Sequence, residues 1–133
     1  MTLVSLIIPA FNEAARIGET IDEALGYFDR RRLACEIIVA ADGTDGTRET
    51  ARARAQQRPE IHVTGTPDRR GKGRGIREAV TLATGDVIGF ADADNKTPIT
   101  EFDAIEQALA TGCDVAIRSE EHTSELQSQF HLV

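Results

Sequence analysis

Two periodicities alternate along the chain. Leu3-Val4-Ser5-Leu6-Ile7-Ile8 is a short, nearly continuous apolar run stopped by Pro9, the pattern of a strand buried on both faces of a parallel sheet. Ile17, Ile21, Leu25 and Phe28 then recur at helical spacing. A second apolar run, Glu36-Ile37-Ile38-Val39-Ala40-Ala41, ends in the glycine-bearing turn Asp42-Gly43-Thr44-Asp45-Gly46-Thr47, and a helix is expected from Arg48 to Gln57 with Ala51 and Ala55 inward. Ile61-His62-Val63-Thr64 reads as a further strand, with His62 facing the surface. Gly71-Lys72-Gly73-Arg74-Gly75 opens a helix expected to carry Ile76, Val80 and Ala83 on one face and to end at Gly85. Val87-Ile88-Gly89-Phe90-Ala91-Asp92-Ala93-Asp94 is the next strand-like run, ending in two carboxylates. Beyond it come a helix from about Thr100 with Phe102, Ile105 and Leu109 inward, a Thr100/Asp103 capping pair, and a last strand from Asp114 to Ile117.

Strands alternating with helices at this spacing predict an α/β layer structure with a mainly parallel sheet. In such a sheet ligands sit beyond the carboxyl ends of the strands. The polar turns after Ile8, Ala41 and Phe90 would therefore meet on one edge.

Composition narrows the class. A chain of 133 residues with 41% hydrophobic and 28% charged positions has room for a single core. Its net charge of −7 and pI near 4.9 exclude a general nucleic-acid binder, which needs clustered Lys and Arg. Basic residues do gather locally, in Arg30-Arg31-Arg32 and in Asp68-Arg69-Arg70-Gly71-Lys72-Gly73-Arg74. Cys35 and Cys113 have no metal-like spacing and read as reduced thiols of a cytoplasmic protein. No stretch has the length of a membrane span, and Leu3 to Ile8 is too short for a signal peptide.

The chemistry concentrates at Asp92-Ala93-Asp94. In an extended chain residues two apart point the same way, so both carboxylates can face one point just past the strand's end. Two hard oxygen ligands suit Mg²⁺ or Mn²⁺, ions that share their shell with water and substrate phosphates. The same pair also suits a turn or a helix cap, so the surroundings decide. Lys72, between glycines at a helix start, favours an anion, with Arg69, Arg70 and Arg74 close in sequence. Gly65 and Gly71 are one residue too far apart for a Walker A loop, and Gly71, Gly73 and Gly75 lack the spacing of a dinucleotide fingerprint. Asn12, Glu13 and Asp42 stand where each could accept a hydrogen bond from a base or ribose, while Phe11 alone reads as a packing residue. Asn95-Lys96-Thr97 matches a glycosylation sequon, but Pro98 follows and chance explains it.

Taken in order, Ile8-Pro9-Ala10-Phe11-Asn12-Glu13, the run Glu36 to Thr44, Gly71-Lys72-Gly73, and Gly85-Asp86 before Phe90-Ala91-Asp92-Ala93-Asp94 resemble the nucleotide-sugar half of family 2 glycosyltransferases with the GT-A fold, from about Leu3 to Ile117. Asp92-Ala93-Asp94-Asn95-Lys96-Thr97-Pro98 is most similar to the branch that moves glucose or mannose onto a polyprenyl (dolichyl) phosphate. The resemblance implies a Rossmann-like three-layer sandwich over residues 1–117 and an inverting, metal-dependent transfer of a hexose from a UDP- or GDP-linked sugar. It implies that Pro9, Phe11, Glu13 and Asp42 line the nucleoside pocket, with Asn12 and Ala93 in the same donor-binding set. Asp92 and Asp94 would hold ribose and the Mg²⁺ or Mn²⁺ ion, and Lys72 the phosphates. A lipid-phosphate acceptor would bring the intact protein to the cytoplasmic face of a membrane.

The chain departs from the family in two places. The family usually has two adjacent acids where this chain has Ala41-Asp42, and the Asp42–Thr47 loop is one residue short, so the base stays open. After Ile117 a Gly-Ser-Arg segment and the acceptor half are expected, but Arg118 to Ser128 resembles the conceptual translation of a sequencing-library adapter. Residues 118–133 are thus expected to be a non-native or disordered tail. Residues 119–133 hold three acids and no Lys or Arg, so part of the acidity is the tail's. Without an acceptor wall the chain is expected to bind donor weakly and to turn over nothing, and its sequence assigns no catalytic residue. Two other classes fit parts of the pattern. A sugar-phosphate nucleotidyltransferase would favour a Gly-rich basic loop after the first strand, which Pro9-Ala10-Phe11-Asn12-Glu13 lacks, and a non-catalytic α/β module would use the acids as turn formers.

Overall fold

The computed structural model describes residues 2–94 and 98–112. The chain divides into two compact units, residues 1–95 and 96–133. In the first, β1 (Leu3–Phe11), α1 (Ile17–Arg31), β2 (Ala34–Asp42), α2 (Thr47–Gln57), β3 (Ile61–Thr64), α3 (Lys72–Leu82) and β4 (Val87–Phe90) follow one another. The four strands form one sheet in the order β3-β2-β1-β4, every pairing parallel. The chain builds outward from β1 to β3 and then returns to the other side of β1. The direction of winding therefore switches between β1 and β4, the place where open α/β sheets bind ligands.

The apolar runs decide this sheet. Val4 to Ile8 and Glu36 to Ala41 are buried throughout, as expected of strands covered on both faces. β1 does not stop at Pro9 but continues to Phe11 beside β2. Pro9 is tolerated because β4 pairs with β1 only from Val4 to Ile7. The Ile7 carbonyl accepts from the Ala91 amide on the β4 side, so Pro9, two residues on, turns its missing N–H to that side past the strand's end.

In α1, Ile17, Ile21, Leu25 and Phe28 are all buried, the stripe their spacing predicts. The inward line of α3 differs from expectation. Gly75 and Ala79 are buried, Ile76 is half-buried and Val80 is exposed. The reason is close approach: a Cβ on Gly75 would lie 3.5 Å from the Ala40 Cβ, and Ala79 packs with Ile7, Ile38 and Ala40. The helix lies so near the sheet that small residues, not the bulkiest ones, face it. On β4, Ile88 and Phe90 are exposed.

Cys35 is a free thiol, pushed up to about 11 chiefly by burial, with Glu60 and Asp29 adding to the effect. In the second unit a 3₁₀ turn (Ile99–Glu101) leads into α4 (Phe102–Ala110), where Phe102 is buried and Ile105 and Leu109 are half-buried. Glu101 occupies the cap position of α4 without a side-chain cap hydrogen bond. The expected strand Asp114–Ile117, Cys113, the Asn95–Thr97 sequon and the 118–133 tail lie outside the described residues. No helix among the described residues is long and apolar enough to cross a membrane.

Candidate donor-binding site

The carboxyl edge of the sheet is braced from loop to loop. After β1 the chain reverses through Asn12, whose φ of 56° lies in the left-handed region that asparagine tolerates. The Glu13 carbonyl accepts from Arg16 and Ile17 and so begins α1, while its amide donates to Thr47 Oγ1 at 3.0 Å. Asp45 accepts from the Thr47 amide and hydroxyl and from the Ala14 amide. The turns after β1 and β2 are thus bound to one another. Glu13 joins the edge through its backbone.

Phe11 and Asp42 are register partners at the tips of β1 and β2. The Phe11 ring lies beside Gly43, where a Cβ would come within 3.2 Å of it, and the Arg69 guanidinium stands over the ring at 4.4 Å from its centroid. Asp42 accepts from the Thr66 amide at 3.1 Å, the Arg70 amide at 3.0 Å, Arg70 Nε at 3.4 Å and Arg70 Nη2 at 3.1 Å. A carboxylate has about four lone-pair sites, so Arg70 and Thr66 occupy its accepting capacity in this state. Arg70 also donates to Glu78 on α3, and Glu78 accepts from the Thr64 hydroxyl. This clamp fixes the loop two residues before Lys72.

Lys72 begins α3 after Gly71, whose φ is 96°. The first bond of the helix turn runs from the Gly75 amide to the Gly71 carbonyl, so the amides of residues 72–74 precede it and are available to an anion. Lys72 Nζ reaches Asp92 Oδ1 at 3.4 Å. Both side chains are more than half exposed, which makes the pair weak in energy; its information is positional.

Asp92, Ala93 and Asp94 do not continue the strand. β4 ends at Phe90 and residues 93–94 form a turn, so the in-line geometry of an extended Asp-x-Asp does not apply. The alternation survives in another form. Asp92 is exposed, Ala93 is buried and Asp94 is half-buried, with the Ala93 carbonyl accepting from the Thr20 hydroxyl on α1 at 2.6 Å. Among the described residues no three His, Cys, Asp or Glu side chains gather as a metal cage. The donor set at the turn is two carboxylates, which fits a hard divalent ion that completes its shell with phosphate oxygens and water.

The edge also depends on residues that pattern reading missed. Arg48 Nη1 donates to the carbonyls of Ala41, Gly43 and Thr66 at 3.0, 2.8 and 2.8 Å, pinning the β2 turn to the β3 loop. At the opposite edge, buried Glu36 accepts from the Ser5 hydroxyl at 2.5 Å, the Thr84 amide at 2.6 Å and the Thr84 hydroxyl at 3.1 Å. Only an acid heading an otherwise apolar strand signals the latter.

Two of these carboxylates tie stability to pH. Burial pushes the Glu36 carboxyl up, but the Ser5 and Thr84 bonds outweigh it and hold the group below its ordinary 4.5. For Asp42, burial is likewise outweighed by Arg70 and Thr66, and the carboxyl sits below 3.8. A pKa lowered by folding stabilises the native state above the unfolded value and ceases to do so as pH falls through the folded one. The urea midpoint is therefore expected to be level in these terms from neutrality to about pH 5 and to fall below about pH 4. Replacing Glu36 with Gln, which cannot titrate, should flatten part of that acid limb.

A model of glycosyl transferase family 2 matches residues 5–119. The chain belongs to glycosyl transferase family 2. Among its relatives is a dolichyl-phosphate beta-glucosyltransferase of Trichomonas vaginalis, 33% identical over 111 residues, which cover 79% of this chain and 33% of that protein. The dolichyl-phosphate beta-glucosyltransferase of Homo sapiens is 32% identical over 114 residues, covering 80% and 35%. The family 2 domain also superposes on a mannosyltransferase from Pyrobaculum calidifontis solved with GDP-Man and Mn²⁺, with TM-score 0.64, 30% identity and coverage of 80% of this chain and 31% of that one. Glucosyl-3-phosphoglycerate synthase from Mycobacterium tuberculosis, solved with Mn²⁺, UDP and phosphoglyceric acid, gives TM-score 0.65, 30% identity and coverage of 84% and 40%. These are GT-A structures, and the parallel Rossmann-like sheet described above is their fold. The chain spans about a third of the length of the dolichyl-phosphate relatives it matches.

Proposed function

We propose that this family 2 chain forms the donor-binding part of an inverting, metal-dependent hexosyltransferase that takes a UDP- or GDP-linked sugar and, in the intact enzyme, a polyprenyl phosphate acceptor. The observation that carries the reading is the meeting of Lys72 and Asp92 at the switch between β1 and β4. A cation from a helix start and an exposed carboxylate from an adjacent strand end are the two partners a metal-bridged diphosphate requires. Asp92 and Asp94 would hold Mg²⁺ or Mn²⁺, and that ion when bound neutralises charge on the departing nucleoside diphosphate. Lys72 and the first amides of α3 would take phosphate oxygens. Pro9, Phe11, Asn12, Glu13, Asp42 and Ala93 would border the nucleoside and ribose.

Asp42 enters this reading with a restriction. Its carboxylate already holds Arg70, so a base reaching it must displace part of that clamp or be read by neighbouring groups. The acceptor assignment is supported by the names of the relatives, dolichyl-phosphate beta-glucosyltransferases from several organisms. An acceptor phosphate is ionised at neutral pH and needs little base catalysis.

Thermal unfolding with nucleotides tests the donor reading. A ligand at about 100 times its Kd raises stability by about 2.7 kcal/mol. UDP or GDP is expected to raise the melting temperature with Mn²⁺ present, and chelation should abolish the larger part of that rise. Equal protection by either nucleotide with and without metal would exclude the metal-bridged site.

A further inference from the structure

Thr20 sits in the second turn of α1 and is buried, yet its hydroxyl leaves its own helix. Inside a helix a threonine hydroxyl commonly bonds back to a carbonyl of the preceding turn. Here it donates to the Ala93 carbonyl at 2.6 Å, 73 positions away, at the centre of the acidic turn. Thr20 and Ala93 are 5% and 4% exposed. On the other side of Asp92, the Ala91 amide donates to the Ile7 carbonyl at 3.0 Å. Asp92 is therefore bracketed by two fixed peptide groups, one anchored to β1 and one to α1, while its own carboxylate is exposed. The exposed acid needs such anchors because nothing in its surface pairing with Lys72 is strong enough to hold the backbone.

We propose that the Thr20 hydroxyl is a positioning group for the Asp92–Asp94 turn, setting the direction of its carboxylates through the Ala93 peptide without touching the ligand. This rests on the donor-site reading for its functional consequence, though not for the conformational one. Partners that orient ligating groups from behind commonly change metal affinity by about 10–100-fold when removed.

Thr20→Val keeps the shape and deletes the hydroxyl; Thr20→Ser keeps the hydroxyl and deletes the methyl. In the free 133-residue chain, amide hydrogen exchange at residues 92–94 is expected to quicken about tenfold or more in T20V and to stay within about threefold of wild type in T20S. In titrations with UDP and GDP, the Mn²⁺-dependent gain in affinity should fall about 10–100-fold in T20V and be kept in T20S, while metal-free affinity changes little. Should T20V fail to fold, Thr20→Ala repeats the comparison without placing a methyl against a carbonyl. Unchanged exchange in the hydroxyl-free variant overturns the proposal, as does an equal loss in T20S, which would make packing the cause. Absence of Mn²⁺-dependent nucleotide binding in the wild-type chain would instead refute the donor-site reading, and the exchange comparison would still decide Thr20.

Discussion

Gly65→Ala is expected to cost the fold about 3 kcal/mol or more, read as a lowered urea midpoint, because two independent penalties coincide there. The residue has a φ of +131°, outside what an alanine adopts without strain. An added Cβ would also stand 2.0 Å from the Ala41 carbonyl oxygen and 2.5 Å from its carbon, a backbone group that cannot swing aside. Withdrawing the loop is the one relief, and everything attached to it resists. The Gly43 amide donates to the Thr66 carbonyl, Arg48 donates to the same carbonyl, and the Thr66 amide donates to Asp42. Gly75→Ala is the matched control. Its new Cβ would meet Ala40 at an ordinary 3.5 Å inside a helix, where alanine is favoured over glycine by up to about 1 kcal/mol. If G65A melted like wild type, the close seating of the β3 loop on β2 would be wrong.

That loop illustrates what a sequence gives up and what it withholds. Continuous apolar runs at 3–8 and 36–41 state a parallel sheet, since burial on both faces leaves no room for alternation. Ile17, Ile21, Leu25 and Phe28 state the inner face of α1 in the same way. Lys72 and Asp92 were legible as chemistry from their neighbours, glycines at a helix start and acids after a strand, and the fold brings them together.

Sequence pattern fails where the deciding partner is remote. Asp42 reads as a free acceptor because the residue that occupies it, Arg70, lies 28 positions on, within a cluster that looks like solvated charge. Thr20 gives no signal in the sequence because its partner is a backbone carbonyl, which has no letter of its own. Arg48 similarly serves three carbonyls. On α3 the bulky residues suggested the inner face, and the closeness of the sheet reversed the choice in favour of Gly75 and Ala79.

Asp92 and Lys72 should fail differently when removed, and the difference tests the donor site more sharply than either loss alone. Asp92→Asn keeps size and hydrogen bonding but removes the charge a divalent ion needs. The Mn²⁺-dependent part of UDP or GDP affinity is expected to fall by more than about 100-fold, beyond the effect of an indirect partner. Metal-free affinity should hold or improve slightly, because an anion no longer faces the diphosphate. Lys72→Met removes a charge-assisted bond of about 1.5–3 kcal/mol, equivalent to about 10–150-fold, and does so with and without metal. Neither change should move the melting temperature of the free chain much, since the pair is 65% and 53% exposed at 3.4 Å. In the double variant the two losses should add, because carboxylate and ammonium would then act on separate partners, metal and phosphate, rather than on each other. A Lys72→Met loss that appears only with Mn²⁺ would mean that the lysine works through Asp92 instead of on the phosphates. A double variant no worse than Asp92→Asn alone would lead to the same conclusion, and Lys72 would then be an orienting partner of the acid.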